Sequence, residues 1–149
     1  MAKQSVQDLS GELVVQAARL VRAARHRTGD ALPAGIRVLS LLDQYGALGV
    51  GRLAELDRCS QPTMTGTVKA LVERRWVAKA PDPSDARAAL VTLEPAGTAA
   101  LNDVRRRNAD AVAERFAAQT VHSPEDLATA VSVLRAVLES TPQHEKGTL

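Results

Sequence analysis

Apolar residues recur at steps of three and four along the first part of the chain. They are Leu9, Leu13, Ala17, Leu20 and Ala24, and arginines lie off this stripe. Positions spaced in this way share one face of a helix that turns about 100° per residue. The pattern predicts a long amphipathic helix over residues 5–28, ended by a turn at residues 28–30.

A second apolar stripe predicts the next helix. It begins after Pro33, whose fixed φ suits a first helical turn, and Gly46 is expected to close it. Its inward residues are predicted to be Ile36, Leu39, Leu42 and Tyr45.

A third, short helix is expected after the glycine-rich residues 46–51. Leu53, Ala54 and Leu56 are predicted to face inward, and Arg58 and Cys59 to form a tight turn.

Ser60 has the side chain of a helix N-cap and therefore predicts the start of a fourth helix. Met64, Val68, Leu71 and Val72 are predicted to face inward on this helix. The opposite side is small and polar at its N-terminal end. Gly66 costs about 1 kcal/mol relative to Ala in a helix interior, which favours a role in close backbone approach.

Two short extended runs follow, at residues 76–80 and 88–93, and predict a β-hairpin with a loop over residues 81–87. Two helices are then expected, at residues 95–118 and 123–140. The first carries Leu101, Val104, Val112 and Phe116, and the second, capped by Ser123, carries Leu127, Val131, Leu134 and Leu138.

The composition narrows the class of protein. A chain of 149 residues with 45% hydrophobic but only 2% aromatic residues predicts one domain, mainly α, with an aliphatic core. The formal net charge is +2, and fifteen of the nineteen basic residues are arginine. Arginine suits phosphates and guanine edges, but a genome rich in G and C encodes alanine and arginine freely, so composition alone does not indicate binding to nucleic acid.

No chemistry of an enzyme is evident in the sequence. One cysteine and three scattered histidines offer no disulfide and no zinc site, and no catalytic motif is found. We therefore expect no cofactor, no metal and no catalytic activity. No apolar run reaches the roughly 20 residues that span a membrane, which favours a cytoplasmic protein.

The order helix, short helix, tight turn, capped helix and hairpin is that of a winged helix-turn-helix over residues 33–94. Residues 60–65, 71–74, 82–87 and 93–97 resemble the MarR family of transcription regulators. The likeness is close over the central third of the chain, and the flanks share the helix order. It implies a ligand-responsive homodimeric repressor that binds a two-fold symmetric operator in double-stranded DNA.

The resemblance also implies site residues. Asp85 would orient Arg87 toward the minor groove. The implied DNA-binding residues are Ser60, Gln61, Pro62, Thr63, Thr65, Gly66, Lys69, Arg74, Asp85 and Arg87. The implied dimer interface consists of Leu9, Leu13, Leu20, Phe116, Leu127, Val131 and Leu134. A small aromatic or anionic effector would bind between the dimerisation helices and the DNA-binding lobe.

Several positions depart from the family pattern. Gly66 stands where Arg is common, Arg75 where Gly is common, Glu94 where Thr is usual, and Ala86 lies beside Arg87. These departures leave an alternative open, namely a winged-helix module that binds DNA without sequence preference or binds a protein partner.

Two smaller interpretations concern the single cysteine and a run of arginines. Cys59 is interpreted as a small buried turn residue, with an oxidation switch as the alternative. The run of three arginines at residues 105–107 is interpreted as a solvated helix face with Asp103–Arg107 and Arg106–Asp110 pairs.

Overall fold

The computed structural model describes residues 4–28 and 33–140. Six helices and three strands are found there, and the mainly helical fold with a small sheet is confirmed. Gly29 and Asp30 of the predicted first turn lie outside the described residues. The elements are α1 (Val6–Thr28), α2 (Pro33–Tyr45), β1 (Leu48–Gly49), α3 (Val50–Asp57), α4 (Gln61–Glu73), β2 (Val77–Asp82), β3 (Asp85–Leu93), α5 (Pro95–Ala117) and α6 (Pro124–Glu139).

The chain divides into two compact units, residues 1–112 and 113–149. The core of the first unit lies where α2, α3 and α4 meet the sheet and α5. Its buried side chains are all aliphatic apart from Met64, as the scarcity of aromatic residues predicts. They are Val38, Leu39, Leu42, Leu53, Ala54, Met64, Val68, Leu71, Val77, Val91 and Leu101.

Four residues predicted to face inward on α2, α3 and α4 are less buried than expected, and one of them, Ile36 of α2, is only partly buried. Tyr45 is exposed because it is the last residue of α2 and lies beyond the packed part of that helix. Val72 is 38% exposed, since it lies at the edge of the buried face of α4 rather than at its centre. Leu56 of α3 is only partly buried.

The wing is a three-stranded antiparallel sheet in the order β1-β3-β2, not the simple hairpin predicted. Leu48 pairs with Val91 and Gly49 with Leu90. A strand of two residues in a glycine-rich stretch has no alternating pattern, so it gave no signal in the sequence.

The predicted loop over residues 81–87 is also wrong. Strands β2 and β3 continue to Asp82 and Asp85, which pair with each other, and the register shifts between Pro81 and Asp82. Only Pro83 and Ser84 remain in the turn. The Asp82 carboxylate accepts hydrogen bonds from the Ser84 amide at 2.8 Å and the Ser84 hydroxyl at 2.7 Å, which lower the pKa of Asp82. This side-chain turn allows the strands to extend.

Helix α1 begins with a reciprocal cap that the sequence analysis missed. The Asp8 amide donates to the Ser5 hydroxyl at 3.0 Å, and the Ser5 amide donates to the Asp8 carboxylate at 3.2 Å. The hydroxyl and amide of Ser5 lower the pKa of Asp8. The spacing of Ser5 and Asp8 is the sequence signature of such a cap.

The second unit contains the predicted capped start of α6. The Asp126 amide donates to the Ser123 hydroxyl at 3.3 Å, and the Ser123 amide donates to the Asp126 carboxylate at 2.9 Å. No side chain of α6 is buried. The apolar residues of this helix are therefore exposed to different degrees, from 37% at Leu134 to 82% at Leu138.

The arginine run at residues 105–107 forms a paired face, as expected, but with different partners. Arg107 binds Asp103 at 3.1 Å, which confirms that pair. Arg106 also binds Asp103 rather than Asp110, because helical side chains tilt toward the N-terminus and the preceding carboxylate is within reach. Arg105 binds Asp43 of α2 at 2.9 Å. In the parts of the chain that the structure describes, no helix has the length and apolarity needed to cross a membrane.

Gly97 fixes the contact between α5 and the start of the wing. A Cβ at Gly97 would overlap the carbonyl group of Trp76. The same carbonyl oxygen accepts a hydrogen bond from the Glu94 amide at 3.0 Å. The first turn of α5 therefore lies directly against the residue that precedes β2, and only glycine fits there.

We expect Gly97→Ala to lower the free energy of unfolding by at least about 2 kcal/mol, since backbone atoms must move to admit the methyl group. Gly66→Ala is the matched control: its Cβ would meet no heavy atom within 4 Å, so stability should rise by about 1 kcal/mol. Urea denaturation followed by circular dichroism measures both. Equal effects of the two variants would contradict the assigned contact.

Candidate nucleic-acid interface

The N-terminal end of α4 is exposed and well capped. Ser60 lies in the extended region at φ −72° and ψ 152°, and its hydroxyl accepts a hydrogen bond from the Thr63 amide at 3.2 Å. The Ser60 and Thr63 hydroxyl oxygens are 2.8 Å apart. The first turn has no acidic residue. Its remaining amide N–H groups and the helix dipole therefore present positive potential to solvent, which favours anions such as phosphate.

The outer side of α4 is small and polar, as predicted. Met64, Val68 and Leu71 are buried. Exposed on the opposite side are Gln61, Pro62, Thr63, Thr65, Gly66 and Lys69. Amide and hydroxyl side chains on one exposed helix face can hydrogen-bond base edges in a major groove.

Gly66 lies in the middle of this face. A side chain there would meet no protein atom within 4 Å, so packing inside the protein does not explain the glycine. A flat surface at this point permits close approach of another molecule to the α4 backbone.

The Gln61 side chain lies beside α3 as well as on the exposed side of α4. Its amide nitrogen would lie 2.9 Å from a Cβ built on Gly51, so the side chain rests close to the backbone of α3. The missing side chain of Gly51 leaves room for Gln61 beside α3.

Two arginines follow α4. The Arg74 guanidinium lies 5.1 Å from the centroid of the Trp76 ring, a cation–π distance, so this predicted DNA-binding residue already has an internal contact. Arg75 has φ 57°, in the left-handed region. This conformation explains why glycine is common there in the resembling family, and it costs an arginine about 1 kcal/mol.

The wing presents Arg87 next to Asp85. The Asp85 carboxylate accepts a hydrogen bond from the Arg87 amide at 3.0 Å, so it orients the backbone of Arg87 rather than its guanidinium. Arg87 is exposed, and over residues 4–28 and 33–140 no ion pair involves its side chain. Its charge is therefore available to a partner.

The turn before α4 contains Cys59, which is half-buried against the hydrophobic core. Its amide donates to the Ala54 carbonyl at 3.0 Å, and Arg58 before it has φ 54°. The predicted tight turn is confirmed, and the packing of Cys59 is that of a structural residue.

The turn is also held by an ion pair that the sequence analysis missed. Arg37 of α2 binds Asp57 at the end of α3, with Nε and Oδ1 2.7 Å apart, and this carboxylate raises the pKa of Arg37. The two residues are twenty positions apart, so no local pattern could have linked them.

Six of the seven residues predicted for the dimer interface are exposed on α1 and α6, and the seventh, Phe116, is half-buried. Leu9 is 49% exposed and Leu134 37%. The other exposed members of this set are Leu13, Leu20, Leu127 and Val131.

A crevice of about 490 Å³ lies between α1 and α5 within the first unit. Its walls are mostly apolar and include Leu20, Ala24 and Val112, while Arg25 and Arg105 line its edge. Among the described residues, no group of three or more His, Cys, Asp or Glu side chains could hold a metal ion.

A capped helix with a polar outer face, supported by two helices and followed by a β-wing, defines the winged helix-turn-helix class of DNA-binding proteins. The description of the protein-family model that matches residues 33–89 is "MarR family". The HTH-type transcriptional regulator MT0903.1 of Mycobacterium tuberculosis is 29% identical over 137 residues, covering 90% of this chain and 95% of the relative.

Solved structures show the same fold. Transcriptional regulator Tm0710 from Thermotoga maritima has a TM-score of 0.72 at 21% identity, with 89% of this chain and 95% of that chain covered. BpsR of Bordetella bronchiseptica, whose DNA binding is regulated by 6-hydroxynicotinic acid, has a TM-score of 0.60 at 24% identity, with 94% and 100% covered. The family model covers α2 to β3, and relatives similar along most of the chain are named HTH-type transcriptional regulators, so this chain is similar to MarR-family transcriptional regulators with a helix-turn-helix.

Proposed function

We propose that this chain is a homodimeric repressor that binds a two-fold symmetric operator in double-stranded DNA and is released by a small anionic or aromatic effector. The observation that carries the proposal is the exposed polar face at the capped end of α4, followed along the chain by a wing with a free arginine. A role on DNA favours a cytoplasmic location and no catalytic activity, in line with relatives named as regulators.

Each exposed part of α4 has a separate task in this proposal. Gln61, Thr63 and Thr65 bind base edges, and Ser60 with the first-turn amides binds a phosphate. Gly66 lets the helix backbone approach the groove closely. Pro62 starts the helix, and Lys69 and Arg74 meet the phosphate backbone farther along.

Arg87 of the wing enters the adjacent minor groove. A narrow minor groove carries strong negative potential that attracts an arginine side chain. The Asp85 carboxylate holds the Arg87 backbone, which limits the directions that the guanidinium can take.

A second copy of the chain covers the exposed apolar residues of α1 and α6. The argument is their number and spacing: Leu9, Leu13 and Leu20 share a stripe on α1, while every residue of α6 is exposed. Aliphatic faces of this extent belong in an interface, because leaving them in water forgoes about 25 cal/mol per Å².

The effector binds in the crevice between α1 and α5. Aliphatic walls with Arg25 and Arg105 at the edge suit an amphipathic anion. Since no aromatic residue is among those that line the crevice, an aromatic ring would gain apolar contact but no stacking there.

Footprinting on DNA upstream of the gene tests the proposal. We expect protection of a two-fold symmetric site, and we expect Arg87→Ala to weaken binding to that site about tenfold while light scattering still shows a dimer. Uniform, steeply salt-dependent binding to any duplex would support binding without sequence preference. Absence of binding at low salt would favour a protein partner, and a monomer would contradict the assembly.

Gly66→Ala separates stability from DNA binding. The variant should be about 1 kcal/mol more stable but should bind the protected fragment more weakly, because the methyl group intrudes between α4 and the groove. Denaturation and gel-shift titrations on the same preparation measure both quantities. Unchanged affinity would show that Gly66 does not approach DNA.

Octanoate and benzoate probe the crevice. Both should raise the melting temperature of the free protein, and Arg105→Gln should reduce the shift, because the carboxylate loses one of the two cationic groups at the edge. Arg106→Gln, which removes an equal charge from the same helix at a residue that does not line the crevice, is the control. A shift of unchanged size in Arg105→Gln, or no shift with either probe in the unmodified protein, would exclude this site for anions.

A further inference from the structure

A bidentate ion pair connects α2 to the turn that leads into α4. Arg37 Nε lies 2.7 Å from Asp57 Oδ1, and Arg37 Nη2 lies 3.1 Å from Asp57 Oδ2. The side chain of Asp57 is 7% exposed and that of Arg37 is 43% exposed. Two parallel hydrogen bonds fix the relative orientation of the groups as well as their distance.

The chain between this pair and α4 is short and constrained. Asp57 is the last residue of α3, and Arg58 follows in the left-handed region at φ 54°. The Arg58 amide donates to Glu55 at 3.2 Å and the Cys59 amide to Ala54 at 3.0 Å. Ser60 then caps α4. A displacement of Asp57 is therefore transmitted to the first turn of α4.

We infer that Arg37 and Asp57 are positioning residues for the first turn of the DNA-reading helix, an inference that rests on the proposed sequence-specific binding. Hydrogen bonds to base edges tolerate displacements of only a few tenths of an ångström, whereas phosphate contacts in non-specific binding do not depend on one fixed geometry. Loss of the pair should therefore reduce discrimination between DNA sequences more than it reduces binding to DNA as such.

The test compares Asp57→Asn with Glu55→Gln, which removes the same charge from the same helix but breaks only an exposed pair with Arg52. The measurement is the ratio of affinities for the footprinted fragment and for a scrambled duplex. We expect Asp57→Asn to lower this ratio on the order of tenfold and Glu55→Gln to leave it unchanged. A variant that is merely less stable loses affinity for both duplexes alike, so its ratio stays constant.

Arg37→Gln tests the other partner. Because this variant leaves the Asp57 carboxylate, which is 7% exposed, without its cation, the double variant with Asp57→Asn replaces any single variant that does not fold. The double variant should show the same ratio as either single variant, since each removes the same contact. Additive losses, or a ratio equal to that of the unmodified protein, would overturn the inference. Direct phosphate binding by Arg37 would instead weaken both duplexes and reduce the salt slope.

Hydrogen exchange on the free protein gives a readout that does not need DNA. The amides of Thr63 and Met64 should exchange faster in Arg37→Gln, while those of Leu101 and Val104 in α5 should not change. If the unmodified protein fails to discriminate between duplexes, the proposed function fails, and hydrogen exchange still decides whether the pair positions α4. Unchanged exchange at the first turn of α4 would overturn that assignment.

Discussion

Three side chains of α4, namely Met64, Val68 and Leu71, lie at the centre of the aliphatic core, and the position of every other element of the winged helix depends on their burial. Helices α2 and α3 and strand β2 all pack against α4. Because these three residues occupy one side of the helix, their burial turns Gln61, Thr65 and Lys69 to solvent. The same contacts that stabilise the fold therefore create its polar outer surface. Burying each aliphatic side chain contributes about 1.5–3 kcal/mol, which is far more than the exposed polar residues contribute.

Structural features that depend only on neighbouring residues could be predicted from the sequence. The Ser60 and Ser123 caps, the Gly46 stop and the turn at Arg58 depend on neighbouring residues, and all were predicted correctly. Strand β1 could not be predicted, because two residues owe their strand conformation entirely to pairing with β3. The wing turn was misjudged because the Asp82 side chain replaces backbone hydrogen bonds that the residue types alone do not reveal.

The ion pairs show the same difference between contacts within one helix and contacts between helices. The Arg107–Asp103 pair lies within one helix and followed from its spacing. The pairs Arg37–Asp57 and Arg105–Asp43 join residues on different helices, so they depend on tertiary structure that no sequence window contains. Arg74 rests on Trp76, whereas Arg87 has no ion pair in the described part of the chain. Of the fifteen arginines, Arg37 and Arg105 thus join different helices, whereas the exposed wing residue Arg87 presents its charge to solvent.

The two ion pairs of α2 also connect the proposed effector crevice to the turn before α4. Arg105 lines the crevice between α1 and α5 and binds Asp43 of α2, while Arg37, six residues earlier on α2, binds Asp57 at the turn before α4. A carboxylate that competes with Asp43 for Arg105 would loosen α2 from α5. Because α2 is a single helix of 13 residues, its two ends move together, and the turn at Asp57 would follow. The Arg105–Asp43 pair is partly exposed and therefore weak enough for a bound anion to take the place of Asp43, which a buried pair would not allow.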